Sequence, residues 1–255
     1  MRIVIIGAGT VGVATGDGFR RFGNDVVFYD NDNDKLDKVT SEGFRITTEP
    51  SREKPDVFFV CTPAQAVEEI IQNLPYEHVL TVIRSTVVPG TTNKLIKMTS
   101  GGHIIINPEF SREATAIWDF QNPFRILYSA CCHQHRELIQ RLYTPFQAPM
   151  ICVDDPTIAE MVKYASNLFL TTTISYWNEV SSVCLRLNIN SHTVGKIAAL
   201  DPRIPSYGAS LHGKPFSGRC LPHNLQTFIT FCENLGYDPI LLKAVEEVNK
   251  RKRDA

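Results

Sequence analysis

Cys220 stands in the segment Gly213-Lys-Pro-Phe216-Ser-Gly218-Arg-Cys220-Leu-Pro222-His-Asn224, between a glycine-bearing loop and an expected helix start. A thiol there meets the positive end of a helix dipole, which lowers its pKa and favours the nucleophilic thiolate. The segment can therefore carry covalent chemistry. A lone cysteine is more often a small buried apolar residue, so the opposite end of the chain has to decide what this one is for.

The chain opens with Arg2-Ile-Val-Ile-Ile-Gly7-Ala-Gly9-Thr10-Val11-Gly12, an apolar run of strand character, then G-x-G-x-x-G, then a helical stretch. Gly7 permits the tight turn, Gly9 lets the backbone approach a pyrophosphate, and Gly12 lets the helix pack on the strand. The helix N-terminus is left aimed at the phosphates, with Thr10 and Val11 in the same binding turn. The next strand, Asp25-Val-Val-Phe-Tyr-Asp30, ends in an acid eighteen residues after Gly12. A carboxylate there binds the ribose 2′-hydroxyl, so Asp30 selects NAD over NADP. Of the acid-rich run that follows, most reads as a solvated turn, while Lys35 can reach a ribose or phosphate.

Further strands follow at α/β spacing. Asp56-Val-Phe-Phe-Val-Cys61-Thr62-Pro63 and His78-Val-Leu-Thr-Val-Ile-Arg84-Ser85-Thr86 are continuous apolar runs, as buried parallel strands require. Ala64 to Leu74 reads as a helix between them. Polar residues just after such strands lie at the carboxyl edge of the sheet, which puts Thr62, Pro63, Ser85 and Thr86 beside a cofactor or substrate.

In the second half, Asp155-Pro156 is a helix-start pair, and no Gly or Pro interrupts Thr157 to about Leu187. This predicts a helix of roughly 30 residues, about 45 Å long, the spine of a domain or of a dimer. Glu160, Lys163 and Asn167 share one of its faces. Taken alone, Glu160 and Lys163 read as an exposed ion pair. Ser191 to Leu200 reads as a short helix, Asp201 to Pro215 as a long loop, Leu221 to Leu235 as a helix, and Asp238-Pro239 starts a last helix to about Arg251. A loop that long inside a compact domain is usually functional, and this one leads to Cys220.

Composition narrows the class. The chain has 255 residues, 43% of them hydrophobic, and a net charge of −1. That allows one large or two modest domains with real cores and disfavours a nucleic-acid or membrane-surface partner. The basic ending Lys250 to Arg253 reads as cations on a helix C-terminus. Seven cysteines, with only Cys131 and Cys132 adjacent, read as reduced thiols of a cytoplasmic protein. No His/Cys cluster has metal-site spacing, so no metal is expected. Glycines interrupt the N-terminal apolar run where a secretory signal needs its core, and no apolar stretch reaches the roughly 18 residues of a membrane span.

In chain order these segments resemble the UDP-glucose/GDP-mannose dehydrogenase family. The motifs that carry the likeness are Gly7-Ala-Gly9-Thr-Val-Gly12, Ser85-Thr86-Val-Val-Pro89-Gly90-Thr91-Thr92, Asn107-Pro108-Glu109-Phe110-Ser-Arg112-Glu113, Ala159-Glu160-Met-Val-Lys163 with Asn167, Asn178-Glu179, Asp201-Pro-Arg203-Ile204 and Phe216-Ser-Gly218-Arg-Cys220-Leu-Pro222. The resemblance implies an α/β chain: a Rossmann-like NAD-binding domain over residues 1–153, then an all-α central and dimerisation domain over 154–255 with a long spine helix. It implies oxidation of the C6 alcohol of a nucleotide sugar such as UDP-glucose to the uronate, with NAD and with Cys220 forming a thiohemiacetal and then a thioester. Lys163 and Asn167 would hydrogen-bond the oxyanion, and Glu113 and Thr86 would position a water. Glu109, Phe110 and Arg112 would line the sugar site, and the loop with Arg203, Tyr207, Phe216 and Gly218 would close over it.

Two features depart from the family pattern. Asn224 stands where the family has Asp one turn after the thiol, and an amide cannot take a proton; Ser217 replaces a second glycine, which stiffens the loop. The chain also ends where a third, nucleotide-gripping domain begins in the family, so the resemblance is to a shortened form. Two other readings stay open. One is a single-step dehydrogenase of 3-hydroxyacid or 6-phosphogluconate type with Lys163 as base; the other is a non-catalytic NAD-binding partner protein.

Overall fold

The computed structural model describes residues 1–74, 79–99, 102–130, 132–218 and 220–253; His78, Cys131, Arg219 and Ala255 lie outside that set. Its contacts divide the chain into two compact units, Met1–Lys163 and Tyr164–Ala255.

The first unit is built on strands that are apolar at nearly every position. β1 (Arg2–Ile6), β2 (Asp25–Tyr29), β3 (Arg45–Ile46), β4 (Val57–Val60), β5 (Leu80–Ile83) and β6 (Ile104–Ile106) form one parallel sheet in the order β3-β2-β1-β4-β5-β6. The crossovers are α1 (Thr10–Arg21), α2 (Asn33–Ser41), α3 (Ala64–Asn73) and α4 (Thr91–Met98). Alternate residues feed two separate cores. Ile3, Ile5, Phe28 and Phe59 pack with Phe19, Phe120 and Tyr143 on one face. Val4, Ile6, Phe58 and Val60 pack with Val67, Ile71 and Leu95 on the other. A sheet covered on both faces leaves ligands only its edges, which is why the loops at the carboxyl ends matter. The chain then adds α5 (Ala116–Gln121), β7 (Ile126–Ser129), α6 (His133–Tyr143) and β8 (Met150–Val153), with β7 and β8 paired in parallel.

The long helix α7 (Pro156–Arg186) runs for 31 residues, and the division between the two units falls inside it. Asp155 opens it by accepting a hydrogen bond from the Thr157 amide at 2.9 Å. The second unit continues with α8 (Ser191–Ala198), α9 (Ser206–Leu211), α10 (Cys220–Asn234) and α11 (Ile240–Arg253). The expected long loop from Asp201 to Pro215 is thus interrupted by α9. This helix has only six residues and no apolar stripe, so periodicity could not mark it. It is held by packing: a Cβ on Gly208 would meet the Thr173 carbonyl oxygen at 2.6 Å, so only glycine lets α9 lie this close to α7.

Candidate active site

Two of the three glycines in the turn leave no room for a side chain. Gly7 has φ +104°, and a Cβ there would lie 2.6 Å from the Cys61 carbonyl oxygen. At Gly12 a Cβ would lie 1.8 Å from the Gly7 carbonyl oxygen. Gly9 differs: it is the N-cap of α1, no side chain caps that end, and a Cβ would have nothing within 4 Å. Open space at an uncapped helix N-terminus is what a pyrophosphate needs. Thr10 is exposed and Val11 half-buried beside it. Asp30 is turned onto the same turn, accepting from the Ala8 amide at 2.7 Å and the Asp32 amide at 3.0 Å. Lys35 extends over it, 3.0 Å from Asp32 and 3.8 Å from Asp30. At the neighbouring strand end, Ser85 donates to the Thr62 carbonyl at 2.6 Å, and Pro63 starts α3. Thr62 Oγ1 is buried with no hydrogen-bond partner among the described residues, an unmet demand that a ligand hydroxyl or amide would satisfy. Thr86 is half-buried just beyond. These residues fit NAD.

The pairing read for Glu160 and Lys163 is corrected by the structure. Both are buried, 1% and 4% exposed, and each has a different partner. Glu160 Oε2 accepts from the Gly90 amide at 2.6 Å, while Oε1 accepts from the Thr92 amide at 2.8 Å and the Thr92 hydroxyl at 2.6 Å. It therefore caps the N-terminus of α4. Burial pushes its carboxyl up, against the pull of the Thr92 and Gly90 hydrogen bonds. Lys163 donates to the Glu109 carbonyl at 2.6 Å and to Glu109 Oε1 at 2.9 Å. Burial pushes the Glu109 carboxyl up as well, but the charge of Lys163, hydrogen bonds from Ser111 and Lys163, and the charge of Arg84 together hold it below its ordinary value. Helical spacing gave the shared face of α7; the first two turns of that face are covered by the sheet unit, so the expected solvent-exposed pair does not form.

Around this pair, Lys163 Nζ lies 5.6 Å from the centre of the Phe110 ring. Arg112 is drawn aside by Asp119 through contacts of 2.6 and 3.0 Å, and its hydrogen bonds hold Asp119 down at about 2. Glu113 is exposed in a short helical turn. Asp119 and Ser111 are partners the sequence reading missed, as is Tyr143, whose hydroxyl joins Arg84 and Asn107 in a buried network at 2.5 to 2.9 Å.

In the second unit Cys220 is exposed at the first residue of α10, a helix with no acidic residue in its first turn. Gly218 just before it has φ +80°, whereas Ser217 does not need a left-handed backbone. Asn224, one turn later, is 4% exposed, and Asn167 on α7 is 9% exposed. Phe216 is buried, Tyr207 is exposed on α9, and Arg203 is exposed and paired with Asp201 at 2.6 Å. Among the described residues no group of three or more metal-ligating side chains forms, and no helix is long and apolar enough to cross a membrane.

Residues 47–147 match the NAD-binding domain of the UDP-glucose/GDP-mannose dehydrogenase family, and residues 157–251 match that family's central domain. Residues 2–89 also match a family described as NADP oxidoreductase, coenzyme F420-dependent. A UDP-glucose 6-dehydrogenase of Rickettsia conorii is 30% identical over 99% of this chain and 67% of its own length. The chain belongs to the UDP-glucose/GDP-mannose dehydrogenase family. Another UDP-glucose 6-dehydrogenase, from Bacillus subtilis, is likewise 30% identical, over 99% of this chain and 67% of its own length. A UDP-glucose dehydrogenase structure from Pyrobaculum islandicum superposes with a TM-score of 0.84 at 30% identity, covering 98% of this chain and 68% of that one. The chain thus spans about two thirds of the length of these relatives. Membership places it among NAD-dependent nucleotide-sugar dehydrogenases, with a Rossmann-like unit followed by a helical one.

Proposed function

We propose that this chain oxidises the C6 alcohol of a UDP-glucose-like nucleotide sugar to the uronate, with Cys220 as covalent nucleophile. The observation that carries the reading is the exposed thiol at the first turn of α10, in a chain whose glycine turn is shaped for a dinucleotide. In this reading residues 1–153 bind cofactor and residues 154–255 supply the nucleophile. NAD, when bound, accepts the hydride released in each oxidation. Gly7, Gly9, Thr10, Val11 and Gly12 would hold its pyrophosphate, Asp30 and Lys35 its ribose, and Thr62, Pro63, Ser85 and Thr86 its nicotinamide end.

C6 first loses a hydride and its hydroxyl proton, giving an aldehyde. The Cys220 thiolate adds to that carbonyl, forming a C–S bond, and the oxyanion takes a proton. Lys163 suits this step: Glu109 engages two of its three ammonium protons, and the remaining one is available to an oxyanion, with the Asn167 amide one turn further along α7. Loss of a second hydride and the hydroxyl proton leaves a thioester. Water, placed by Glu113 and Thr86, attacks the thioester, the C–S bond breaks, and carboxylate and thiolate are released with the two protons of the water. Asn224 can orient that water but cannot accept its proton.

A homodimer on α7 is part of the proposal. Phe169, Tyr176 and Val183 are exposed at intervals of seven residues along it, an apolar stripe suited to a helical partner, and sedimentation would read the dimer directly. The described cysteines form no disulfide among themselves, which fits the cytoplasm. The test is to incubate the protein with NAD and UDP- or GDP-sugars and count NADH per substrate consumed. Two per substrate, abolished in Cys220→Ser, is expected; full turnover by Cys220→Ser would refute the covalent step.

A further inference from the structure

The loop ahead of Cys220 has no regular structure over residues 212–218, yet two buried side-chain amides hold its backbone. Asn178 on α7 accepts from the Gly213 amide at 2.7 Å and donates to the Lys214 carbonyl at 3.0 Å. Asn249 on α11 accepts from the Phe216 amide at 2.8 Å and donates to the Phe216 carbonyl at 3.2 Å. The two residues are 1% and 4% exposed. A carboxamide offers a donor and an acceptor side by side without carrying charge, so each can satisfy an N–H and a C=O that no strand or helix pairs. Gly213 at φ +98° and Gly218 at φ +80° bracket the clamped stretch, and the buried Phe216 anchors its middle. The backbone that enters α10 is therefore fixed from two helices, four residues before the thiol.

We propose that Asn178 and Asn249 are positioning residues for the nucleophile: they set the backbone on which Cys220 meets the α10 N-terminus. The proposal rests on Cys220 acting as nucleophile. It makes α11, which reads from sequence as a last helix ending in cations, part of the scaffold of the reactive thiol. Ser175 strengthens the same joint by donating to the Val245 carbonyl at 3.0 Å, tying α7 to α11 behind the loop. A misplacement of about 1 Å at a reacting group can cost about 100-fold in rate, so a loosened clamp is read in kcat before it is read in cofactor binding.

The experiment uses the whole chain with Asn178→Asp and Asn249→Asp, near-isosteric changes that set a carboxylate oxygen against a backbone carbonyl, and with Asn249→Ala. Three measurements are made on each: NAD affinity by calorimetry, kcat with the best nucleotide sugar, and the pH midpoint of Cys220 alkylation by iodoacetamide, followed on the Cys220 peptide by mass spectrometry. The expected result is a fall in kcat of about 10- to 100-fold, a raised alkylation midpoint as the thiol leaves the helix end, and NAD affinity within about twofold. A folded variant with unchanged kcat and unchanged midpoint overturns the proposal. In the unaltered protein, hydrogen exchange at Gly213 and Phe216 covers the case of variants that do not fold: protection supports the clamp, and exchange at the rate of an open loop overturns it. Activity that survives in Cys220→Ser removes the nucleophile reading instead, and the alkylation midpoint and hydrogen exchange still report on the clamp.

Discussion

Replacing Lys163 by Met tests the central electrostatic feature of the first unit. The substitution keeps a long apolar stem and removes the charge, leaving Glu109 without two contacts, at 2.6 Å to its carbonyl and 2.9 Å to its carboxylate. Both side chains are buried, 6% and 7% exposed, and removing one partner of a buried pair costs about 3–5 kcal/mol. Ser111 still donates its amide and hydroxyl to the other Glu109 oxygen, so the carboxylate is not stripped bare and the lower end, about 3 kcal/mol, is expected. The pH dependence has a definite sign. With Lys163 present the Glu109 carboxyl is held down, so its contribution to stability is present above 4.5, its ordinary value, and is lost on acidification. Without Lys163, burial dominates and the carboxyl rises, so the variant loses stability as pH increases from that value. Urea unfolding at pH 7 and at pH 4.5 measures both effects, and the penalty should shrink at the lower pH. Adding Glu109→Gln to Lys163→Met should recover most of the loss. A penalty under about 1 kcal/mol at pH 7 would place the pair among weak exposed bridges, and a penalty independent of pH would refute the electrostatic account.

Gly12→Ala should destabilise by about 3 kcal/mol or more, because its Cβ would lie 1.8 Å from a backbone oxygen, whereas Gly9→Val should leave the melting temperature unchanged and weaken NAD binding in calorimetry. Glu160→Ala should cost about 2–4 kcal/mol in urea unfolding, since it strips the Gly90 and Thr92 donors at the start of α4, and Glu160→Gln should cost less. Burial lowers the pKa of His212, with the charges of His192 and Lys252 adding to that shift against hydrogen bonds to the Ala209 and Gly208 backbone. Its contribution to stability is therefore full above 6.5 and falls as pH drops below it, a dependence that His212→Gln should reduce in thermal melts between pH 5 and about 7.

Much of the fold is legible because its signals are local. The apolar runs around β1, β4 and β5 announce strands buried on both faces, and the glycine spacing announces a turn whose clashes the structure shows atom by atom. The long helix is legible from the lack of any Gly or Pro between Thr157 and Arg186. The polar partners are not, because each is a tertiary event. Glu160 meets residues about seventy positions earlier and Lys163 meets one 54 positions earlier, so spacing along α7 reveals their shared face and nothing of what covers it. Asn249 stands in the sequence Asn-Lys-Arg-Lys-Arg, where charge masks the one residue that is buried. The six residues of α9 are too few for a period to register.

Burial divides the residues that carry the family likeness into two kinds. Asn107, Glu160 and Asn178 are all at most 2% exposed and spend their polar atoms on the chain itself. A ligand could bind them only by breaking hydrogen bonds that no other group replaces, each leaving a buried backbone or hydroxyl partner unmet at about 1–3 kcal/mol. Cys220 and Glu113 are exposed, so a substrate can reach them without opening the core. Lys163 belongs to both kinds: buried and paired, yet with one ammonium proton beyond the two that Glu109 takes. In this chain a substitution at the first kind of position is therefore expected to cost stability, while one at the second kind is expected to change substrate binding at little cost to the fold.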